Sequence, residues 1–213
     1  MNYQVIGFDK ADQVNNDIIF HQVDITKSTE ITNALNDLNH EIHLLINNAG
    51  VSVFSPFEKR TEEELDQVIN VNRKGTILIT QAIFNRYFKP NKSGCIVNMG
   101  SIYGVVAGDM KIYNEGDRRT PEIYGATKAS VINLTKYFAA YMAPYNVRAN
   151  CISPGGIFNN QSEKFVTNYS RKVPMNRMGN DKELLSTLEY LISEDSSYLT
   201  GQNIIVDGGF TSW

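Results

Sequence analysis

The stretch His43-Leu-Leu-Ile-Asn-Asn-Ala-Gly50 decides the fold. Its first four residues form a short apolar run that reads as a strand. Asn47-Asn48-Ala49-Gly50 then stops it with turn-forming residues. Upstream, Gln4-Val-Ile-Gly-Phe8 is a strand ending at Asp9, and Ile18-Ile-Phe-His-Gln-Val23 is another, closed by Asp24-Ile25. Helical spacing follows at Ile31, Ala34, Leu35 and Leu38. Downstream, Thr61 and Glu64 form a capping box ahead of a helix that continues to about Phe88. Cys95-Ile-Val-Asn98 and Val147–Ile152 are strands, with a helix from about Pro121 to Met142 between them. Ser153-Pro-Gly-Gly156 breaks the second of these. Short helices fit near Ser162–Tyr169 and Lys182–Ile192, and Asn203–Val206 is the last strand. Strands alternating with helices predict βαβ units and a parallel sheet, an α/β fold.

Length and charge narrow the function. The chain of 213 residues suits one domain, 1–213, with a sizeable core. A net charge of −3 argues against a nucleic-acid binder, which needs a basic face. Cys95 and Cys151 sit in apolar, strand-like surroundings and read as free buried thiols of a reducing compartment. The histidines at 21, 40 and 43 lack metal-ligand spacing, so no metal is expected. No run is long enough to span a membrane and no signal peptide is legible, which predicts a soluble, cytoplasmic protein.

Chemistry enters at Glu122-Ile-Tyr-Gly-Ala-Thr-Lys-Ala-Ser130. Tyr124 and Lys128 are four residues apart, on one helix face and one turn from each other. An ammonium beside a phenol favours the phenolate and lowers the tyrosine pKa. A tyrosine tuned in this way exchanges a proton with an alcohol or carbonyl oxygen. Alone, such a pair arises readily by chance, and a surface tyrosine beside a solvated lysine is the blander reading.

The other motifs favour the chemical reading. Asn47-Asn-Ala-Gly50, Val71-Asn72, Asn98-Met-Gly-Ser101, Tyr124-Gly-Ala-Thr-Lys128, Ser153-Pro-Gly-Gly-Ile157, Thr200-Gly-Gln-Asn203 and Val206-Asp-Gly-Gly209 follow in order. With them the chain resembles a classical short-chain dehydrogenase/reductase from Met1 to Trp213. The resemblance implies a Rossmann-like, doubly wound, mostly parallel sheet. It implies an NAD(P)-dependent oxidoreductase interconverting a secondary alcohol and a carbonyl. Tyr124 would be the acid/base. Lys128 would hold its pKa down and bond the nicotinamide ribose. Ser101 would donate to the substrate oxygen. Asn72 would hold a water linking Lys128 to solvent.

The resemblance also places the cofactor. Asp9, at the end of the second family strand, would bind the adenosine ribose diol and repel a 2′-phosphate, so NAD is preferred over NADP. Lys10 beside it works the other way. Asp24 and Ile25 would bracket the adenine. Asn48, Ala49 and Gly50 would pass close to the cofactor, with Pro154, Gly155 and Ile157 at the nicotinamide. Asn159 stands where the family usually has threonine.

Two departures from the family stand out. Its first strand, glycine-rich turn and first helix would precede Gln4, so the usual first β-α unit is lacking here. Two strands would then lose a ladder partner. Either Met1 is an internal methionine of a longer protein, or this is a short product that binds NAD(H) weakly. In the second case it is a catalytically silent oligomer partner. The other departure is the Ser101–Tyr124 spacing, about ten residues longer than the family norm, with a polar stretch at 109–120. Arg118 and Arg119 within it suit an anionic substrate group. This insertion, with Gly155–Gln161 and Pro174–Met178, resembles a subgroup linked to bacterial surface-sugar modification, which implies a sugar or sugar-derived substrate. Tyr137, Phe138 and Tyr141 suit a subunit interface in a homodimer or homotetramer, and the terminal Trp213 suits another subunit contact.

Overall fold

The computed structural model describes residues 3–12, 17–113 and 119–213. Arg118 lies outside the described residues.

The strands are β1 (Ile6–Asp9), β2 (Ile19–Gln22), β3 (Leu44–Asn47), β4 (Gly94–Met99), β5 (Val147–Pro154) and β6 (Asn203–Val206). Every pairing among them is parallel, as expected from the βαβ alternation. They form two sheets, β1-β2 and β3-β4-β5-β6. β1 and β3 therefore each have one edge without a ladder partner among the described residues. Strand β5 runs two residues past the expected break, because Ser153 and Pro154 still pair with Ile205 and Val206.

Side-chain alternation along β4 shows how the larger sheet is covered. Ile96 enters a core cluster with Ile79, Ile83 and Phe88 of the long helical stretch and Phe138 and Met142 of the helix α5 (Glu122–Met142). Cys95 and Val97 point the other way, into a cluster with Leu191. The period of two in a strand thus places helices on both faces, the doubly wound arrangement. Both cysteines are free and buried. The first cluster also takes in Val23, Ile31 and Leu35, with Ile6 and Phe8 of β1 packed against it. The remaining helices are α1 (Ser28–Asp37), α6 (Glu163–Ser170) and α7 (Lys182–Ile192).

The helical stretch after the capping box is one continuous rod, α2 (Glu62–Ile69), α3 (Thr76–Ile83) and a last turn α4 (Lys89–Asn91). The box is complete: Glu64 N donates to Thr61 Oγ1 at 3.2 Å, and Thr61 N donates to Glu64 Oε2 at 3.1 Å. Between its parts the rod widens into π-type turns at Asn70–Gly75 and Phe84–Phe88. Such turns recur at functional sites. The first of them carries Asn72.

A third cluster lies near the carboxyl ends of the strands. Ile102 and Ile112, from either end of a segment of the long insertion, pack there with Tyr169 of α6 and Phe210. The insertion is not merely a solvated loop. Lys172 Nζ lies 2.7 Å from Asp109 Oδ2, and Asn168 Nδ2 donates to Ile112 O at 3.3 Å.

Candidate active site

Strands β3, β4 and β5 end around one cleft of about 480 Å³. Asn48 and Gly50 follow β3, Met99 and Gly100 close β4, Pro154 closes β5, and Tyr124 and Lys128 project from the first turns of α5. A crevice outside the carboxyl ends of parallel strands is where doubly wound folds bind ligands.

Ser101 is set against Tyr124 by the turn Ile102–Gly104, which lies on the start of α5. Two glycines allow that approach. A Cβ on Gly104 would sit 2.7 Å from the Lys128 carbonyl carbon, and one on Gly125 2.8 Å from Tyr103 O. Ser101 Oγ accepts from Tyr103 N at 3.1 Å, which fixes the hydroxyl.

The phenol behaves differently from the sequence expectation. Burial pushes the Tyr124 pKa up, and the adjacent Ser101 hydroxyl only partly opposes that. Lys128 does not hold it down. Its Nζ lies 5.6 Å from the Tyr124 ring centre and donates to Met99 O at 2.7 Å. Lys128 is itself only 5% exposed, and burial lowers its own pKa. Desolvation is the largest cause for both groups.

Asn72 sits within a set of protein hydrogen bonds. Its side chain is 1% exposed and occupied by protein groups. Oδ1 accepts from Val51 N at 2.7 Å, while Nδ2 donates to Val51 O at 2.9 Å and to Thr127 Oγ1 at 3.1 Å. Asn72 therefore ties the loop after β3 to α5. Thr127, hidden inside the Tyr–Lys spacing, carried no signal of its own. Asn47, Asn98, Thr80 and Thr135 form a buried network beneath the site: Asn47 Nδ2 donates to Asn98 Oδ1 at 2.7 Å, and Asn98 Nδ2 to Thr135 Oγ1 at 2.8 Å.

The Pro154–Ile157 segment rests on an unforeseen residue. Gly156 N donates to the Tyr169 hydroxyl, and a Cβ on Gly156 would lie 2.5 Å from the Tyr169 ring. Tyr169 is 2% exposed and stacks on Phe210 at 5.2 Å. Ile157 bridges to Gly179, and Asn159 N donates to Gln161 Oε1 at 2.7 Å.

The adenosine-side residues lie at the ends of the small sheet. Asp9 closes β1, exposed, with Oδ1 accepting from Ala11 N at 2.9 Å. Lys10 is drawn toward Asp24 Oδ2, 3.8 Å away. Asp24 Oδ1 accepts from both the amide and hydroxyl of Thr26, and Asp24 N donates to Glu30 Oε2 at 2.8 Å. The Thr26 hydroxyl, above all, holds the Asp24 carboxyl below its usual range. Ile25 is half-buried and packs against the core, where a Cβ on Gly75 would lie 2.7 Å from its Cδ1.

These residues fit the two ends of a dinucleotide. The Lys128 ammonium spends one donor on Met99 O and has others for a ribose, and Asp9 offers a carboxylate to a diol. Among the described residues no glycine-rich strand-to-helix turn offers amides to a pyrophosphate. Arg119 does not face the chemistry: it lines a neighbouring cleft, beyond Tyr103 and Thr120, rather than the one holding Tyr124. No group of three or more His, Cys, Asp or Glu among the described residues could hold a metal ion.

Comparison with known proteins places the chain. A family profile described as enoyl-(acyl carrier protein) reductase matches residues 9–211. The chain belongs to the short-chain dehydrogenase/reductase family. It is similar to a short-chain dehydrogenase from Leptospira borgpetersenii solved with bound NAD+, at 47% identity and a TM-score of 0.89, covering 98% of this chain and 83% of that one. It is similar to the 3-oxoacyl-[acyl-carrier-protein] reductase FabG of Thermotoga maritima, 37% identical over 79% of this chain and 65% of the relative's length. An NAD-dependent glycerol dehydrogenase of Listeria innocua is 32% identical over 89% of this chain and 74% of its own. The chain thus spans just under two thirds of the Thermotoga reductase. No described helix is long and apolar enough to cross a membrane.

Proposed function

We propose that this chain is an NAD(H)-dependent oxidoreductase that interconverts a secondary alcohol and a carbonyl. The observation that carries the reading is the meeting of Tyr124, Ser101 and Lys128 beside one cleft at the strand ends. NAD(H), when bound, supplies or accepts the hydride. Tyr124 gives a proton to the substrate oxygen in reduction and takes it in oxidation. Ser101 donates a hydrogen bond to that oxygen as charge develops. Lys128, held by Met99, orients the ribose, and Asn72 keeps the Asn48–Val51 loop against α5. A buried phenol with a raised pKa is protonated at neutral pH, which is the state carbonyl reduction requires.

Asp9, Asp24, Ile25, Asn48, Ala49, Gly50, Pro154, Gly155 and Ile157 line the cofactor's course in this reading. The preference is for NAD over NADP, because Asp9 repels a 2′-phosphate and Lys10 turns toward Asp24. Both the NAD+ in the Leptospira structure and the Listeria relative's cofactor support that choice. The same relative's substrate supports a sugar or polyol. Residues 1–213 act as one domain, with one core cluster drawing on both sheets. Buried free thiols suit a cytoplasmic protein. The half-exposed, stacked pair Tyr137 and Tyr141 on α5 supports a homodimer face.

The alternative reading is a catalytically silent oligomer partner. Titration with NADH separates the two. Saturable binding with a micromolar constant supports the enzyme, and no binding at millimolar NADH supports the silent partner. In the enzyme, Tyr124→Phe abolishes turnover with little change in cofactor affinity. Full activity in that variant would refute the assignment.

A further inference from the structure

Resting on the oxidoreductase reading, we infer that the cleft is built for a polyhydroxylated substrate, and that Tyr103 and Tyr113 recognise a second hydroxyl next to the reacting one. The lining carries the argument. Tyr103, Tyr113, Thr120 and Ser52 join Tyr124 around the cleft, so five hydroxyl-bearing side chains face or flank it. Among the described residues, Lys128 is the only lysine, arginine, aspartate or glutamate in the lining, and one of its donors goes to Met99 O.

Tyr113 comes from the long insertion and is held by packing: its ring lies 5.4 Å from Phe165, within the cluster around Ile112 and Tyr169. Tyr103 stands two residues past Ser101. Burial, followed by the neighbouring Tyr113 phenol, pushes its pKa far up, so it remains a neutral donor and acceptor. The Thr120 hydroxyl is enclosed beside them, next to the Tyr103 phenol. Phenols fixed by packing present hydrogen bonds at little entropic cost. A site with such groups discriminates strongly against an analogue that leaves them unpaired.

The test compares xylitol with 2-pentanol, using ligand-observed NMR for binding and kcat/KM for turnover. Tyr103→Phe and Tyr113→Phe keep the rings and their packing, and circular dichroism checks the fold. The expected result is that wild-type protein binds xylitol more tightly than 2-pentanol. Each Phe variant loses about tenfold in xylitol affinity and leaves 2-pentanol unchanged. Unchanged xylitol binding in both variants overturns the inference, as do equal affinities for the two alcohols or no xylitol binding by wild type. Tyr124→Phe tests the underlying reading separately. If it retains turnover while xylitol selectivity persists, the acid/base assignment fails and the subsite stands.

Discussion

At the scale of single residues, satisfaction of buried polar groups governs the site. Asn72 shows it most directly, since both the amide and the carbonyl of Val51 depend on its side chain. Asn72→Ala leaves those groups unpaired, and urea denaturation is expected to show a loss of about 2 kcal/mol or more. Tyr169 makes the same point through ionisation. Burial, first of all, raises its phenol from the ordinary 10 to about 12. A raised pKa means that the contribution to stability is complete below pH 10 and is lost as pH rises through 12. Stability measured from pH 9 to 12 should fall across that window. Tyr169→Phe should flatten part of the fall, with Tyr103 responsible for another part. An unchanged slope in that variant would count against Tyr169 as a source.

At the scale of elements, the decisive contact is between the Ile102–Gly104 turn and the start of α5. A Cβ on Gly125 meets Tyr103 O at 2.8 Å, so Gly125→Ala must push the turn outward and carry Ser101 away from Tyr124. Displacements of about 1 Å cost on the order of 100-fold in rate. The variant should therefore lose about 10- to 100-fold in kcat with only a modest fall in melting temperature. Equal losses in both would point to general unfolding instead. The insertion's tether to α6 carries less weight. The Lys172–Asp109 pair is partly exposed, and Lys172→Ala should change stability by about 0.5 kcal/mol or less, as read by thermal unfolding.

At the scale of the whole molecule, the surface of α5 matters most. Tyr137 and Tyr141 are 59% and 55% exposed and stack in parallel at 5.7 Å, so they are not core residues. Glutamate at both positions should shift sedimentation toward a smaller species at fixed concentration. An unchanged sedimentation profile would place any subunit contact elsewhere. Trp213 is 81% exposed, with Nε1 donating to Lys172 O at 3.2 Å.

The sequence by itself determined the strand and helix order and the parallel pairing. Periodicities of two and 3.6 and the turn residues are local properties, and they carry that much. It also showed the capping box at Thr61, because both partners lie within four residues. Only the tertiary structure decided that burial pushes the Tyr124 phenol up. Only it showed Asn72 spent on Val51, Tyr169 beneath Gly156, and Arg119 on the neighbouring cleft. Each of these depends on distances between segments far apart in the chain, and on how much water their packing excludes.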